Sequence, residues 1–468
     1  MKLKTKPNQR LSYGKWLITL CLALAVIIAS CDNDDEPEMP QNSIVEIAQG
    51  NANLTSLVTA LTKYPDLVTL LNGSGEFTVF APTNDAFDGL LTAIGQNSID
   101  DLPESVLRSV LEYHVVPGRT IRSTDLANGT VTTEQGEDIT VNVDNGVSFN
   151  GSAGVVTANV EANNGVVHVI DQVLVQPSVT PIVGTIVAPA FFNKNFTTLI
   201  AAVQAASPSI LTTLLDSDAK TLFAPTNDAF AAAGITSLPN RETLDAVLTY
   251  HVIGARVEAG DIADGSSSAA TLNGDIFLSK GSAGVFINGS TEVTSTNINA
   301  SNGVVHVINR TLLPPGGTIA DNAIDATTVS TPEFTQLVAA LQKVPSLLTA
   351  ADADDSNLTV FAPTDAAFQA LYDALEVADL DELEETIGND KLAEVLQHHI
   401  VGARVFSSDI STGNVGTLNQ EIAIDATNLT ITDARGESAN LIPANLNILG
   451  TNGVKHAIDA VLVPTGIL

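Results

Sequence analysis

Cysteine is almost absent from this chain: there are two in 468 residues, Cys21 and Cys31. Both fall in or at the edge of an N-terminal segment, residues 1–30, that reads as a signal peptide. Its start carries Lys2, Lys4, Lys6, Arg10 and Lys15 with no acid, and Trp16 to Ala29 is an apolar run too short for a membrane span. The remaining chain has no cysteine pair for a disulfide, so an exported protein of this kind must rely on core burial. The single tryptophan, Trp16, leaves with the signal, and the tyrosines that remain are Tyr64, Tyr113, Tyr250 and Tyr372. That scarcity argues against exposed aromatic platforms for stacking on sugar rings or bases. Basic residues are few: 20 Lys and Arg face 53 Asp and Glu, a formal charge of −33. Loss of residues 1–30 takes it to −38, which disfavours nucleic acid and anionic lipid and favours cations or basic proteins. No later stretch has 18 uninterrupted apolar residues, so no transmembrane helix is predicted. Missing too are a G-x-S-x-G elbow, a P-loop, a G-x-G-x-x-G after a strand and a C-x-x-C pair.

What is present is repetition. Thr78-Val79-Phe80-Ala81-Pro82-Thr83-Asn84-Asp85-Ala86-Phe87 returns at Thr221–Phe230 and at Thr359–Phe368, where Asp365 replaces the asparagine. Phe80, Phe223 and Phe361 lie 143 and 138 residues apart, too far for a solenoid unit and suited to a whole domain. A second phrase, Tyr113-His114-Val115-Val116, returns at Tyr250-His251-Val252-Ile253 and at His398-His399-Ile400-Val401. A third, Asn164-Gly165-Val166-Val167-His168-Val169-Ile170-Asp171, returns at Asn302–Asn309 and Asn452–Asp459. All seven histidines lie in these phrases, which keep one order throughout.

Each repeat opens with apolar residues at helical spacing, as in Leu54, Leu57, Val58 and Leu61, and a proline break precedes a second short helix. Thr78–Ala81 predicts a buried strand ended by Pro82. Thr83, Asn84 and Asp85 then offer oxygens to cap the following helix. A third helix is predicted from Leu102-Pro103 to His114, with Pro103 in its first turn and Leu107, Val110, Leu111 and His114 on one face. Alternating Val, Ile and Thr separated by Asn-Gly pairs, including Asn164-Gly165, predict hairpins, and Val166–Leu174 predicts a central strand. The linkers Ser178–Gly184 and Pro314–Ile319 are too short for free tumbling and predict a semi-rigid row.

Six histidines form equivalent pairs: His114/His168, His251/His306 and His399/His456. A metal or acid–base site would need further ligands or partners at a fixed spacing. None recurs, since Asp171 becomes Asn309, Tyr113 becomes His398 and Val167 becomes Lys455 across the repeats. The residues favour buried imidazoles that tie helix to sheet. No catalytic residue, cofactor or metal is predicted; a His-dependent hydrolase is the minor alternative.

The three phrases, in this order and at this spacing, resemble those of the fasciclin domain family over roughly residues 43–467. The resemblance implies an α+β fold: three tandem domains, each a sandwich or wedge of short strands with a helical layer. The expected boundaries are 43–177, 182–315 and 319–468. It also implies a non-enzymatic adhesion or interaction role at the cell surface, toward a protein, matrix or glycan. The alternative is a structural or accessory envelope protein supporting a neighbouring complex. Within the family an Asp-Ile pair near the second phrase is associated with cell-adhesive recognition, which makes Asp125-Leu126, Asp261-Ile262 and Asp409-Ile410 candidate contacts. Read from the residues alone, such a pair is a turn cap followed by a core aliphatic. Ile28-Ala29-Ser30-Cys31 resembles the bacterial lipoprotein cleavage box, which implies lipid attachment at Cys31. The tether, residues 31–42, begins Asp32-Asn33-Asp34-Asp35-Glu36, similar to the surface-export signal of Bacteroidetes lipoproteins; its plainer reading is a solvated spacer. The expectation is an outer-membrane lipoprotein of the cell envelope, exposed at the surface or facing the periplasm, with the lipid as its only membrane contact.

Overall fold

The computed structural model describes residues 40–330, 332–354 and 356–467; the signal segment, Cys31 and the tether up to Met39 lie outside the described residues. Each module builds the same centre from two of the repeated phrases. The first phrase forms a motif strand, Phe77–Pro82, Lys220–Pro225 or Leu358–Pro363. The third forms a closing strand, Gly165–Ile170, Gly303–Ile308 or Gly453–Ile458. The two pair in parallel with an identical register, Phe80 opposite His168, Phe223 opposite His306 and Phe361 opposite His456. In modules 1 and 2 both strands are buried along nearly their whole length, as parallel strands covered on both faces must be.

Around that centre the sheets differ. In module 1 seven strands run from Val115–Pro117 at one edge to Gly129–Thr132 at the other. In module 2 the same order closes into a barrel, because Thr271 at the far edge pairs with Ile253. In module 3 the strands part into two four-stranded sheets, joined by a bridge from Leu441 to Ile458. Each module keeps a helix-against-sheet core on one side and a core between strands on the other, which is the wedge the family resemblance implied.

The helical layer shows where local reading misplaced a residue. Thr83 alone caps the helix Asn84–Ala93, accepting from the Ala86 N–H at 3.2 Å. Asn84 instead turns to the neighbouring helix, Thr55–Leu61, where its Oδ1 accepts from the Ser56 N–H at 2.9 Å and its Nδ2 donates to Ala52 O at 3.0 Å. Asn227 repeats both bonds with Thr198 and Lys194. Asp365 keeps the acceptor half, toward the Gln336 N–H and the Thr335 hydroxyl, and has no N–H to give. The asparagine thus caps a helix remote in sequence, which short-range capping rules do not reveal. The third helix runs Glu104–Tyr113, with Pro103 at its N-cap and His114 at its C-cap. Leu107, Val110, Leu111 and His114 are all buried, on the face the spacing predicted.

The Asn-Gly phrase is also more than a turn. The hairpin bends at Asn163 and Asn164, and Gly165 already belongs to the closing strand, at φ 150°. A Cβ on Gly165 would lie 2.0 Å from Phe77 O, so no other residue fits. Buried Asn164 takes the Ile44 N–H at 3.1 Å and donates to Leu71 O at 2.7 Å and Gly73 O at 3.0 Å. Asn302 and Asn452 repeat this three-way tie. One side chain therefore pins the start of a module, the end of its second helix and its central strand.

The modules touch through more than their linkers. A short helix at the start of module 2, Ala188–Phe191, packs on module 1. Gln96 Nε2 donates to Pro189 O at 3.0 Å, Asn193 Nδ2 to Gln96 Oε1 at 2.9 Å, and Lys194 Nζ to Asp100 O at 2.9 Å. The helix-side cores of modules 1 and 2 form one continuous apolar cluster. Between modules 2 and 3, Phe277 meets Phe406 at 5.6 Å between ring centres, and the Arg404 guanidinium lies 4.0 Å over the Phe277 ring. Asn447 Nδ2 donates to Ser290 Oγ at 2.8 Å, and the Ser279 hydroxyl bonds the Asp409 carboxylate.

Candidate functional site

The histidine pairs are the recurrent polar feature of every module, and the first of each pair has the same geometry three times. His114 ends its helix. Its Nδ1–H donates to Val110 O, one turn back, at 2.7 Å, and its Nε2 accepts from the Leu174 N–H at 2.8 Å. His251 bonds Val247 O at 2.7 Å and the Leu312 N–H at 3.0 Å; His399 bonds Val395 O and the Leu462 N–H, each at 2.8 Å. Each ring is neutral, with one nitrogen donating and the other accepting, and so fastens the helix end to the chain leaving the closing strand. Burial pushes all three down to about 4.

The second histidine sits on the closing strand. His168, His306 and His456 donate from Nε2 to Ile121 O, Val257 O and Val405 O at 2.8, 2.9 and 2.9 Å. Each stacks on the phenylalanine opposite it, at 5.8, 5.5 and 5.8 Å between ring centres. His456 Nδ1 accepts from the Asn447 N–H at 3.2 Å and His306 Nδ1 from the Asn297 N–H at 3.4 Å, whereas His168 Nδ1 has no partner among the described residues. Burial lowers His168 and His306 and takes His456 to about 4. Within each module the two imidazoles hydrogen-bond to backbone groups, not to a carboxylate or hydroxyl. Among the described residues no group of three or more His, Cys, Asp or Glu could hold a metal.

The three Asp-aliphatic pairs are not equivalent. Asp125 and Asp261 are exposed, and each accepts from a backbone N–H three residues earlier, Arg122 at 3.2 Å and Glu258 at 2.9 Å. Asp409 is half-buried and bonds Ser279 of the preceding module. Ile262 is only 6% exposed, and Leu126 and Ile410 pack partly into their cores. The exposed polar surface of these pairs is therefore the Asp125 and Asp261 carboxylates.

Module 3 departs from its sisters at Lys455, which occupies the buried register of Val167 and Val305. It is 2% exposed, its Nζ lies 4.4 Å over the Phe334 ring and donates to Asn322 O at 3.2 Å, and burial pulls it down to about 8. No salt bridge to it occurs among the described residues.

The family model for the Fasciclin domain matches residues 52–176, 194–314 and 332–464. The chain belongs to the fasciclin domain family. Its similarity extends to proteins of very different origin. Protein sll1483 of Synechocystis is 44% identical over 137 residues, 29% of this chain and 74% of that protein. The rabbit transforming growth factor-beta-induced protein ig-h3 is 29% identical over 428 residues, 90% of this chain and 57% of that protein. The cell surface glycolipoprotein MPB83 of Mycobacterium bovis is 40% identical over 146 residues, 30% of this chain and 63% of that protein. The chain spans less than two thirds of the length of the last two. In this fasciclin chain the residues that sequence reasoning missed are those at the junctions, such as Gln96, Asn193, Phe277 and Arg404. They lie outside the repeated phrases, and only their meeting across modules marks them.

Proposed function

We propose that this protein is a non-enzymatic adhesion and interaction protein of the cell surface, presenting three fasciclin modules on a lipidated N-terminal tether. The observation that carries the reading is the state of the recurrent histidines: buried, neutral and hydrogen-bonded to backbone, with no nucleophile or carboxylate partner among the described residues. Imidazoles so placed tie helix to strand inside each module and are not poised for proton transfer at neutral pH. Similarity to a mycobacterial cell surface glycolipoprotein supports the surface location, while lipid attachment at Cys31 rests on the Ile28-Ala29-Ser30-Cys31 box. The outer membrane is the compartment that the Cys31 box and the acidic run after it suggest. Three modules on one tether would engage a repetitive partner with avidity even where each contact is weak.

The test is adhesion and fractionation of cells carrying the protein or its Cys31→Ala variant. The expected result is envelope attachment and adhesion with Cys31, and a soluble or unprocessed product with adhesion lost in the variant. Unchanged membrane fractionation at the same mass would remove the lipid anchor from this reading. Hydrolysis of an ester, peptide or glycoside that disappears in His251→Ala would replace it with an enzyme.

A further inference from the structure

The junction of modules 1 and 2 encloses a cleft of about 370 Å³. One wall is the module 1 helix Glu104–Tyr113, presenting Ser105, Val106 and Ser109; the other is the start of module 2, presenting Phe191, Asn193 and Ile200. In a chain with 73 charged residues, this lining holds no Asp, Glu, Lys or Arg. Its polar groups are hydroxyls and amides that both donate and accept. Gln176 lines the cleft at 2% exposure; its Nε2 donates to Ser109 Oγ at 2.9 Å, and its Oε1 is buried with no partner among the described residues. Phe191 is half-buried and held edge-on against fully buried Phe192 at 5.0 Å, which fixes its ring. Counting tyrosine and tryptophan alone overlooked this aromatic surface.

We propose that this cleft binds a neutral saccharide, one ring or two. A pyranose has what the lining asks for: no charge, several hydroxyls, and an apolar C–H face for Phe191 and Val106. A charged sugar would enter without a counter-charge. A peptide strand is disfavoured because helices and loops line the cleft, with no strand edge to extend. The cleft belongs to this pair of modules. The positions of Ser109 and Gln176 are taken by Ala246 and Pro314 in module 2 and by Glu394 and Pro464 in module 3. This proposal names a ligand class for the surface role above and rests on that reading for its biological meaning, while the binding itself does not.

The experiment is saturation-transfer NMR and calorimetry on the purified full chain with glucose, galactose, mannose, fucose, N-acetylglucosamine and their neutral disaccharides, with glucuronate and glucosamine as charged comparators. At least one neutral sugar should bind with Kd on the order of 1 mM. Ser109→Val and Phe191→Ala, each confirmed folded by circular dichroism, should weaken it roughly tenfold, and the charged sugars should bind more weakly than their neutral counterparts. No binding by any neutral sugar, or binding unchanged in both variants, overturns the proposal. So does preference for glucuronate or glucosamine. Adhesion that persists without sugar binding would sink this site alone; sugar binding without adhesion would sink the surface role alone.

Discussion

Lowering the pH from 7 to 5 should destabilise each module, and replacing one histidine should abolish a measurable share of that effect. His251 shows the size. Burial puts it at about 4 in the folded protein, against an ordinary value of 6.5. The folded pKa is depressed, so the neutral ring contributes its full stability above pH 6.5 and loses it as the pH falls toward 4. With those two values, linkage gives a loss of about 2 kcal/mol between pH 7 and 5, rising toward about 3 kcal/mol below pH 4. The chain's large negative charge acts the other way, since protonating exposed carboxylates relieves repulsion. His251→Gln separates the two contributions, because it keeps an amide in the pocket and removes the titration. The assay is urea unfolding followed by circular dichroism at pH 7, 6 and 5. The variant should be less stable at pH 7 by about 1–3 kcal/mol, through lost bonds to Val247 O and the Leu312 N–H. Its further loss between pH 7 and 5 should be smaller than that of the parent by about 2 kcal/mol. Equal pH dependence in the two proteins would refute the neutral, fully bonded imidazole.

Three further outcomes follow from the same structure. Asn302→Ala removes the tie among Ile186, Leu214 and Asp216 and should cost about 3 kcal/mol in urea unfolding of module 2; a loss below about 1 kcal/mol would show that the tie is dispensable. Lys455→Met should stabilise module 3 at pH 7 by about 3 kcal/mol, because the folded pKa of about 8 lies below the ordinary 10.5. The penalty is present in full below pH 8 and fades as pH rises toward 10.5, so the parent alone should gain stability over that range, as thermal melts at pH 7.5 to 10 would reveal. Gly289→Ala places a Cβ 2.6 Å from the Phe406 Cβ at φ 73° and should loosen the junction of modules 2 and 3 without unfolding either; an unchanged small-angle scattering profile would contradict it.

The sequence by itself determined what repeats. Three phrases at a domain-sized period gave the module count, the motif strand, the central closing strand and the buried face of the third helix, because each depends on local spacing and on the apolar or turn chemistry of adjacent residues. It also indicated that the histidines hold structure, since no ligand recurs beside them. What it could not determine were relations between residues far apart in the chain. Asn84 looks like a cap for its own helix and caps Thr55–Leu61, two helices earlier. Asn164 looks like a turn residue and binds three separate segments. Asp125, Asp261 and Asp409 look alike, yet the third is bonded to Ser279 of the module before it. Only the tertiary structure decided whether a sheet closes, because closure depends on one edge pairing, Thr271 with Ile253, present in module 2. The cleft between modules 1 and 2 is of the same kind: its walls come from segments some 90 residues apart that are brought together only when two cores merge into one.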